Sequence, residues 1–302
     1  MDNVCHTLVG AVCAEAGLKR WTRYGGATLM IAANLPDLDA LVFATDVPSV
    51  SFRRGWTHGI LAQLVLPFAF AAVMWSIGRL GPGSARGSPG VRWWPLVLLS
   101  FVGVLSHVGL DYLNNYGIRL LMPFSGRWFY GDAVFIIDPW LWVALATGII
   151  LARRHDRVKP ARVALGVSMV YITVMLASAT AARHLVMNAW QRDHGRPPDA
   201  LMVGPFPVDP LRKAVIVDAG DHYETGTFTW LTRDVRYNAA RVEKNEDAQA
   251  AAMAREDRQV QALLVWARFP YYELERHPQG TRVVVTDLRF GRFVAAITTM
   301  VP

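Results

Sequence analysis

The chain has 302 residues, of which 53% are hydrophobic and only 18% are charged. Globular domains contain about 25% charged residues, so this composition excludes a disordered chain and indicates a protein partly embedded in a membrane. The formal net charge is +7, yet residues 48–110 contain no acidic residue and their arginines lie between apolar blocks. Basic residues that flank apolar blocks orient a membrane protein, so nucleic acid is not expected as a partner.

Six apolar blocks occupy the first part of the chain. Two weaker ones come first, at residues 4–18 and 25–45, and the second is interrupted by the polar run at residues 34–39. The other four approach or reach the ~20 residues that cross a bilayer, and they are residues 59–78, 94–113, 139–152 and 162–182. We therefore predict an α-helical membrane bundle of about five to six membrane segments over residues 1–190. The Gly, Ser and Pro of residues 81–90 predict a flexible loop within it.

The composition changes after residue 190, and residues 191–302 predict a soluble α+β domain. Alternating apolar and polar residues are typical of strands, whereas Ala, Glu, Gln and Arg with helical spacing of apolar residues predict one long helix. In chain order we expect a rigid loop at residues 204–210, strands at 213–218 and 223–231, a helix at 238–269, and strands at 281–288 and 293–299.

Lysine and arginine residues form three clusters along the membrane part. The clusters are Lys19, Arg20 and Arg23; Arg79, Arg86 and Arg92; and Arg153, Arg154, Arg157, Lys159 and Arg162. If all three are cytoplasmic, the blocks thread consistently through a bacterial inner membrane. The N-terminus and the soluble domain then lie on the periplasmic side, and the pair Arg53-Arg54 departs from the charge rule.

This threading, which uses only lysine and arginine, brings several other polar residues to the outer ends of the blocks. They are His6, Asp37, Asp39, His58, His107 and Asp111. His107 and Asp111 share a helix face because they are four residues apart. Pro36 disfavours helical geometry in the residue before it, and in a locally extended stretch Asp37 and Asp39 would point the same way.

Carboxylates inside an apolar bundle are costly unless they are paired or bind a cation. Three imidazoles and three carboxylates suit Zn²⁺, Mn²⁺ or Fe²⁺, and we favour zinc, as one or two ions. The predicted metal ligands are His6, Asp37, Asp39, His58, His107 and Asp111. Arg54, next to a helix start, favours a phosphate, and we expect catalytic roles for Asp39, Arg54 and Asp111.

Four segments in order resemble a known family. They are HTLVG at residues 6–10, NLPDLD at 34–39, RGWTH at 54–58 and HVGLD at 107–111. Over residues 1–150 the chain is similar to the membrane-bound metal-dependent hydrolases of the YdjM/YbcI type, which are distantly similar to zinc-dependent phospholipases C. The resemblance implies hydrolysis of a phosphoester, in a membrane lipid or lipid-linked substrate.

Other interpretations of the same residues remain open. Intramembrane Asp and His residues also mark ion- or proton-coupled transporters, although here they cluster at one level. A metal-stabilised scaffold or receptor would hold a closed, structural ion. Asp138 precedes Pro139 and is either a helix cap or a site residue, and Asp132 is either a solvated loop residue or part of the site.

Overall fold

The computed structural model describes residues 1–80, 90–291 and 296–302. The chain divides into two compact units, the first formed by Met1–Leu41 and Arg53–Ala177 and the second by Val42–Phe52 and Ser178–Pro302. The first unit is helical, and the second contains two antiparallel sheets with short helices. The predicted order, helices followed by a domain rich in β-structure, is confirmed.

The helices of the first unit follow the predicted blocks. They are α1 (Asn3–Glu15), α2 (Gly25–Ala32), α4 (Ile60–Leu80), α5 (Trp93–Tyr112) and α6 (Pro139–Arg154), with 3₁₀ segments at Leu18–Trp21 and Leu35–Ala44. Helix α3 (Ser49–Phe52) belongs to the second unit, and α7 (Lys159–His194) begins in the first unit and continues into the second. The predicted loop at residues 81–90 lies, except for Gly90, outside the described residues.

Three helices in the described part of the chain, α4, α5 and α7, are long and apolar enough to cross a membrane. The number rises to four if α2 and the 3₁₀ segment Leu35–Ala44, which meet at an angle of 51°, count as one broken span. This is fewer than the five to six segments that the sequence predicts. Helices α1 and α6 have 13 and 16 residues, less than the ~20 that a full span requires.

Aspartate side chains cap the N-termini of two helices of the first unit, α1 and α6. Asp2 accepts hydrogen bonds from the backbone N–H groups of Val4 and Cys5, both at 3.0 Å, and so caps α1. Asp138 accepts from the N–H groups of Trp140 and Leu141 at 3.1 and 3.0 Å and caps α6. These caps satisfy N–H groups that have no partner inside the helix. The cap interpretation of Asp138 is therefore confirmed.

Helices α2 and α5 cross at a glycine. A Cβ atom at Gly103 would overlap the Cβ of Ala32 and the backbone of Ala33. Ala32, Ala33 and Gly103 are all buried, so the two backbones approach more closely than larger side chains would permit. This contact places the C-terminal end of α2 against the part of α5 that leads to His107.

Two antiparallel sheets form most of the second unit. The first has the order β1 (Ala200–Pro205), β2 (Arg212–Asp218), β3 (His222–Thr229) and β4 (Asp234–Tyr237), with β5 (Val242–Glu243) also paired to β3. The second has the order β6 (Pro270–His277), β7 (Gly280–Asp287) and β8 (Ala296–Val301). The predicted strands at 213–218, 223–231 and 281–288 are confirmed. The strand predicted at 293–299 is present from Ala296, and residues 292–295 lie outside the described part.

The predicted helix over residues 238–269 is wrong. Strand β4 pairs with β3 just before this stretch, and two short helices, α8 (Gln249–Ala254) and α9 (Arg258–Trp266), follow β5. Asp257 separates the helices because its side chain accepts from the N–H groups of Gln259 and Val260 and starts α9 anew. The loop predicted from residue 204 is also shorter, since Gly204 and Pro205 end β1 in register with β2.

The C-terminal half of α7 packs on the first sheet. Ala182, Val186 and Trp190 of α7 are buried with apolar side chains of the sheet, including Val217 and Phe228. Their spacing of four residues places them on one face of the helix. The second unit therefore has a hydrophobic core of its own.

The α2–α5 crossing makes a testable prediction. We expect Gly103→Ala to lower the free energy of unfolding by about 1–3 kcal/mol, because the added methyl group must displace backbone. Gly109→Ala in the same helix is the matched control: a Cβ there meets no atom within 4 Å, and alanine favours helix. Thermal unfolding in detergent measures both, and equal midpoints for the two variants would contradict the close crossing.

Candidate metal centre

Four of the predicted ligands come together in the first unit. Asp37 lies on the 3₁₀ segment, His58 lies two residues before α4, and His107 and Asp111 lie in the last two turns of α5. One ligand atom from each of the four lies within 4.8 Å of the others. His58, His107 and Asp111 are fully buried, and the Asp37 side chain is 9% exposed. Segments that are 21 to 74 residues apart along the chain thus form one cluster of metal-ligating groups.

The distances within this group fit a metal ion. At metal–ligand distances of ~2.0–2.2 Å, the ligand atoms of a tetrahedron lie about 3.3–3.6 Å apart. Nε2 of His58 is 3.2 Å from both Nε2 of His107 and Oδ2 of Asp111, and the latter two atoms are 3.4 Å apart. Oδ1 of Asp37 lies 3.9 Å from His107 Nε2 and has no hydrogen-bond partner among the described residues. Two imidazole nitrogens and two carboxylate oxygens could thus hold a metal ion, and they come from four of the six ligands predicted from the sequence.

The opposite nitrogen of each histidine ring has its own partner. Nδ1 of His107 lies 2.8 Å from the carbonyl oxygen of Ala33, to which it donates its proton. Nδ1 of His58 lies 3.0 Å from the Thr57 hydroxyl and 3.5 Å from Oδ2 of Asp39. Such contacts fix the tautomer and direct the Nε2 lone pair towards the ligand cluster. Burial also lowers the pKa of His58, which favours the neutral ring that binds metals.

Asp37 and Asp39 do not point the same way, so the prediction of an extended stretch is wrong. Pro36 lies in the first turn of the 3₁₀ segment Leu35–Ala44, where its missing N–H is not needed. With three residues per turn, side chains two positions apart diverge by about 120°. Asp37 faces the ligand cluster, whereas Asp39 accepts from the backbone N–H of Arg54 at 2.6 Å and the Thr57 hydroxyl at 3.2 Å. Asp39 therefore contacts the Nδ1 side of the His58 ring, which is opposite the Nε2 that faces the ligand cluster.

Both carboxylate oxygens of Asp111 are contacted by other residues of the centre. Its Oδ2 faces the two ligand histidines, and its Oδ1 is contacted by Nε2 of His6 at 3.3 Å, by Nη2 of Arg54 at 3.2 Å and by the amino group of Met1. The His6 ring also stacks on His107 with 3.8 Å between centroids. His6 thus lies against the group of four through Asp111 and His107.

Arg54 is held in the centre by residues that the sequence analysis did not identify. Its backbone has a φ of +53°, and its guanidinium is 4.6 Å from the ring centre of Tyr116. Nη1 donates to Oδ1 of Asn114 at 3.2 Å. Asn114 is fully buried and lies three residues after Asp111, a helical spacing that could have identified it.

Two further polar residues, Asn3 and Arg53, contact the carboxylates of Asp37 and Asp39. Nδ2 of Asn3 donates to Oδ2 of Asp37 at 2.9 Å. Arg53 lies between the two carboxylates, 3.7 Å from Oδ1 of Asp37 and 3.6 Å from Oδ1 of Asp39. Its side chain is 25% exposed. Both arginines of the Arg53-Arg54 pair, which depart from the charge rule, thus lie beside carboxylates.

Comparisons with known proteins add the following. A family model described as "YdjM inner membrane protein" matches residues 1–182, which include every residue of the centre. The chain is 23% identical over 123 residues to "Uncharacterized protein YfhP" of Bacillus subtilis (strain 168). That match covers 40% of this chain and 35%, about a third, of the relative. No solved structure matches the chain significantly.

The first prediction from the ligand cluster concerns the metal content of the protein. We expect the wild type to retain about one divalent ion per chain, and His107→Ala and Asp111→Asn to lose it, because each removes a ligand atom. Asp138→Asn is the control, since asparagine also caps helices. Elemental analysis of purified, folded protein measures the content. Equal metal in His107→Ala and wild type would contradict the site.

The position of Asp39 makes a separate prediction. A carboxylate that orients a ligand histidine contributes about 10–100-fold to metal affinity. We expect Asp39→Asn to weaken binding by that factor and to remain able to fill at high metal concentration, unlike His107→Ala. Competition with a metal-binding dye measures the two affinities. Wild-type affinity in Asp39→Asn would show that Asp39 does not support His58.

Proposed function

The chain belongs to the YdjM inner membrane protein family, and we propose that it is a membrane-embedded, metal-dependent hydrolase of phosphoesters. The observation that carries the proposal is the convergence of Asp37, His58, His107 and Asp111 within 4.8 Å beside the buried guanidinium of Arg54. A metal-ligating group next to a cation suits a substrate with a negatively charged phosphate. Zinc is the metal we favour.

Each residue of the centre then has a defined task. Asp37, His58, His107 and Asp111 would hold a divalent ion, which would act as a Lewis acid when bound. The Arg54 guanidinium has five N–H donors and contacts Asn114, Asp111 and the carbonyl oxygen of Met1. Its remaining donors would bind the phosphate oxygens. Thr57 and Asp39 hold the His58 ring in place. The buried surroundings exclude water and so strengthen these electrostatic interactions.

Apolar side chains next to the site support a lipid or lipid-linked substrate. Val4, Leu38 and Trp56 are 51%, 51% and 54% exposed. Val4 is two residues before His6. Leu38 lies between Asp37 and Asp39, and Trp56 lies between Arg54 and His58. Exposed apolar residues that alternate with site residues suit a centre that opens towards lipid. A substrate anchored in the bilayer would reach this centre with its headgroup first.

The basic clusters support a multi-pass topology with the centre on the periplasmic side of the inner membrane. Nε of Arg153 lies 2.9 Å from Oε1 of Glu15, and Lys19 also pairs with Glu15. The basic clusters that contain Lys19 and Arg153 therefore lie at the same end of the first unit, where α1 and α6 end. The metal centre lies where α1 begins and α5 ends. With the basic end cytoplasmic, the metal centre would lie on the periplasmic side. Helix α7, which starts at the basic end, would then lead to a periplasmic C-terminal domain.

The proposal is tested by hydrolysis. We expect purified full-length protein to release phosphate-containing products from mixed phospholipids, to lose this activity in chelator, and to regain it when zinc is restored. Equal turnover with and without chelator would overturn the metal mechanism. Ion flux in proteoliposomes that requires Asp37 or Asp111, with no hydrolysis, would favour the transporter instead.

The role of Arg54 is tested by substitution. We expect Arg54→Lys to lower kcat/KM by about 10²–10³, because lysine keeps the charge but loses the bidentate geometry that matches phosphate. Arg127→Gln, an exposed arginine after α5, is the control. Metal content should remain at the wild-type level in both variants. Unchanged turnover in Arg54→Lys would remove Arg54 from substrate binding.

A further inference from the structure

A groove runs along the hairpin formed by α6 and α7 in the first unit. Its volume is about 600 Å³. Apolar side chains form its walls, Val143 and Leu151 on α6 and Val163 and Val167 on α7. These residues are 39% to 63% exposed, so no other described part of the chain covers the walls.

The floor of the groove is the point at which the two helices touch. A Cβ atom at Gly148 would overlap the Cβ of Ala164, so the backbones are close there. The exposed valines stand on either side of this contact and make a cleft with two apolar walls. On each helix the wall residues repeat every four or eight positions, which keeps them on one face.

The groove has the length of one lipid leaflet. Its lining extends along α6 from Val143 to His155, and twelve residues at a rise of 1.5 Å give about 18 Å. One leaflet of a bilayer has a hydrocarbon depth of ~15 Å, half of the ~30 Å core. One extended acyl chain therefore matches the length of the groove.

The two ends of the groove differ in charge. The lining at the turn between α6 and α7 includes His155, Arg157 and Lys159, while the rest is apolar apart from Thr147. Asp156 is the acidic residue of this turn. The first turn of α7 adds the positive end of the helix dipole. A negative group is therefore favoured at this end.

We propose that the groove binds an anionic phospholipid, with an acyl chain between α6 and α7 and the phosphate at Arg157 and Lys159. Basic pockets between membrane helices recognise such headgroups. This site is separate from the metal centre. Helix α6 begins beside the start of α1, where Trp142 Nε1 donates to Asp2 at 3.2 Å, and the basic turn is at its other end. The lipid phosphate would therefore lie at the opposite end of α6 from the metal centre, and the bound lipid is distinct from a substrate at that centre. Its assignment to the other leaflet rests on the topology proposed above.

The test uses the full-length protein in neutral detergent, with phosphatidylglycerol and phosphatidylcholine added in turn. Native mass spectrometry counts the lipids that remain bound. We expect phosphatidylglycerol to be retained, and the double variant Arg157→Gln/Lys159→Gln to weaken its binding at least about tenfold. The control, Arg20→Gln/Arg154→Gln, removes the same charge from exposed residues that do not line the groove, and should bind as the wild type does.

A second variant tests the apolar part. Thr147 is exposed in the middle of the groove, and Thr147→Trp fills the space without changing charge, so it should lower lipid retention while the basic turn is intact. Several results would overturn the proposal: equal retention of both lipids, equal effects of the two double variants, or binding of inorganic phosphate as tight as that of lipid. A dimer that Thr147→Trp dissociates would assign the groove to a second copy of the chain.

Discussion

The contacts of Asp111 are the interaction on which the first unit depends. A fully buried carboxylate is costly unless opposite charges and donors surround it, and Asp111 is contacted from α1 by His6, from the segment before α4 by Arg54 and His58, and from its own helix by His107. Each of these three elements contributes at least one partner. Packing that gives the Asp111 carboxylate its charged and hydrogen-bonding partners therefore also brings the metal-ligating residues together.

Much of the centre could be predicted from the sequence because its parts obey local rules. A spacing of four residues placed His107 and Asp111 together, and the distribution of basic residues brought Asp37 and His58 to the same end. The different tasks of Asp37 and Asp39 could not be predicted, because they depend on whether the backbone around Pro36 is extended or 3₁₀. Tyr116 was missed because its contact with Arg54 joins segments about sixty residues apart, whereas Asn114 could have been identified from its spacing of three residues from Asp111.

The second unit illustrates the same limit. Strands β2, β3 and β7 are rich in β-branched or aromatic residues and were predicted, whereas β1 and β6 were not, because strands are completed by pairing with distant partners. The composition of residues 238–269 favours a helix everywhere. The Asp257 side chain nevertheless separates α9 from α8, and β5 in the same stretch pairs with β3. Local capping and strand pairing therefore outweigh the average propensity of this segment.

The hydrogen bond between His107 and the carbonyl oxygen of Ala33 has a consequence for how this centre can evolve. Ala33 is the C-terminal cap of α2. At the end of a helix the carbonyl oxygens accept no hydrogen bond from within the helix, so this oxygen is available to His107. Because the acceptor is a main-chain oxygen, the hydrogen bond does not depend on the chemistry of the side chain at residue 33, which needs only to be small enough for the close crossing of α2 and α5. The orientation of the imidazole is thus inherited with the path of the backbone, and drift in the surrounding sequence is tolerated as long as that helix terminus keeps its position.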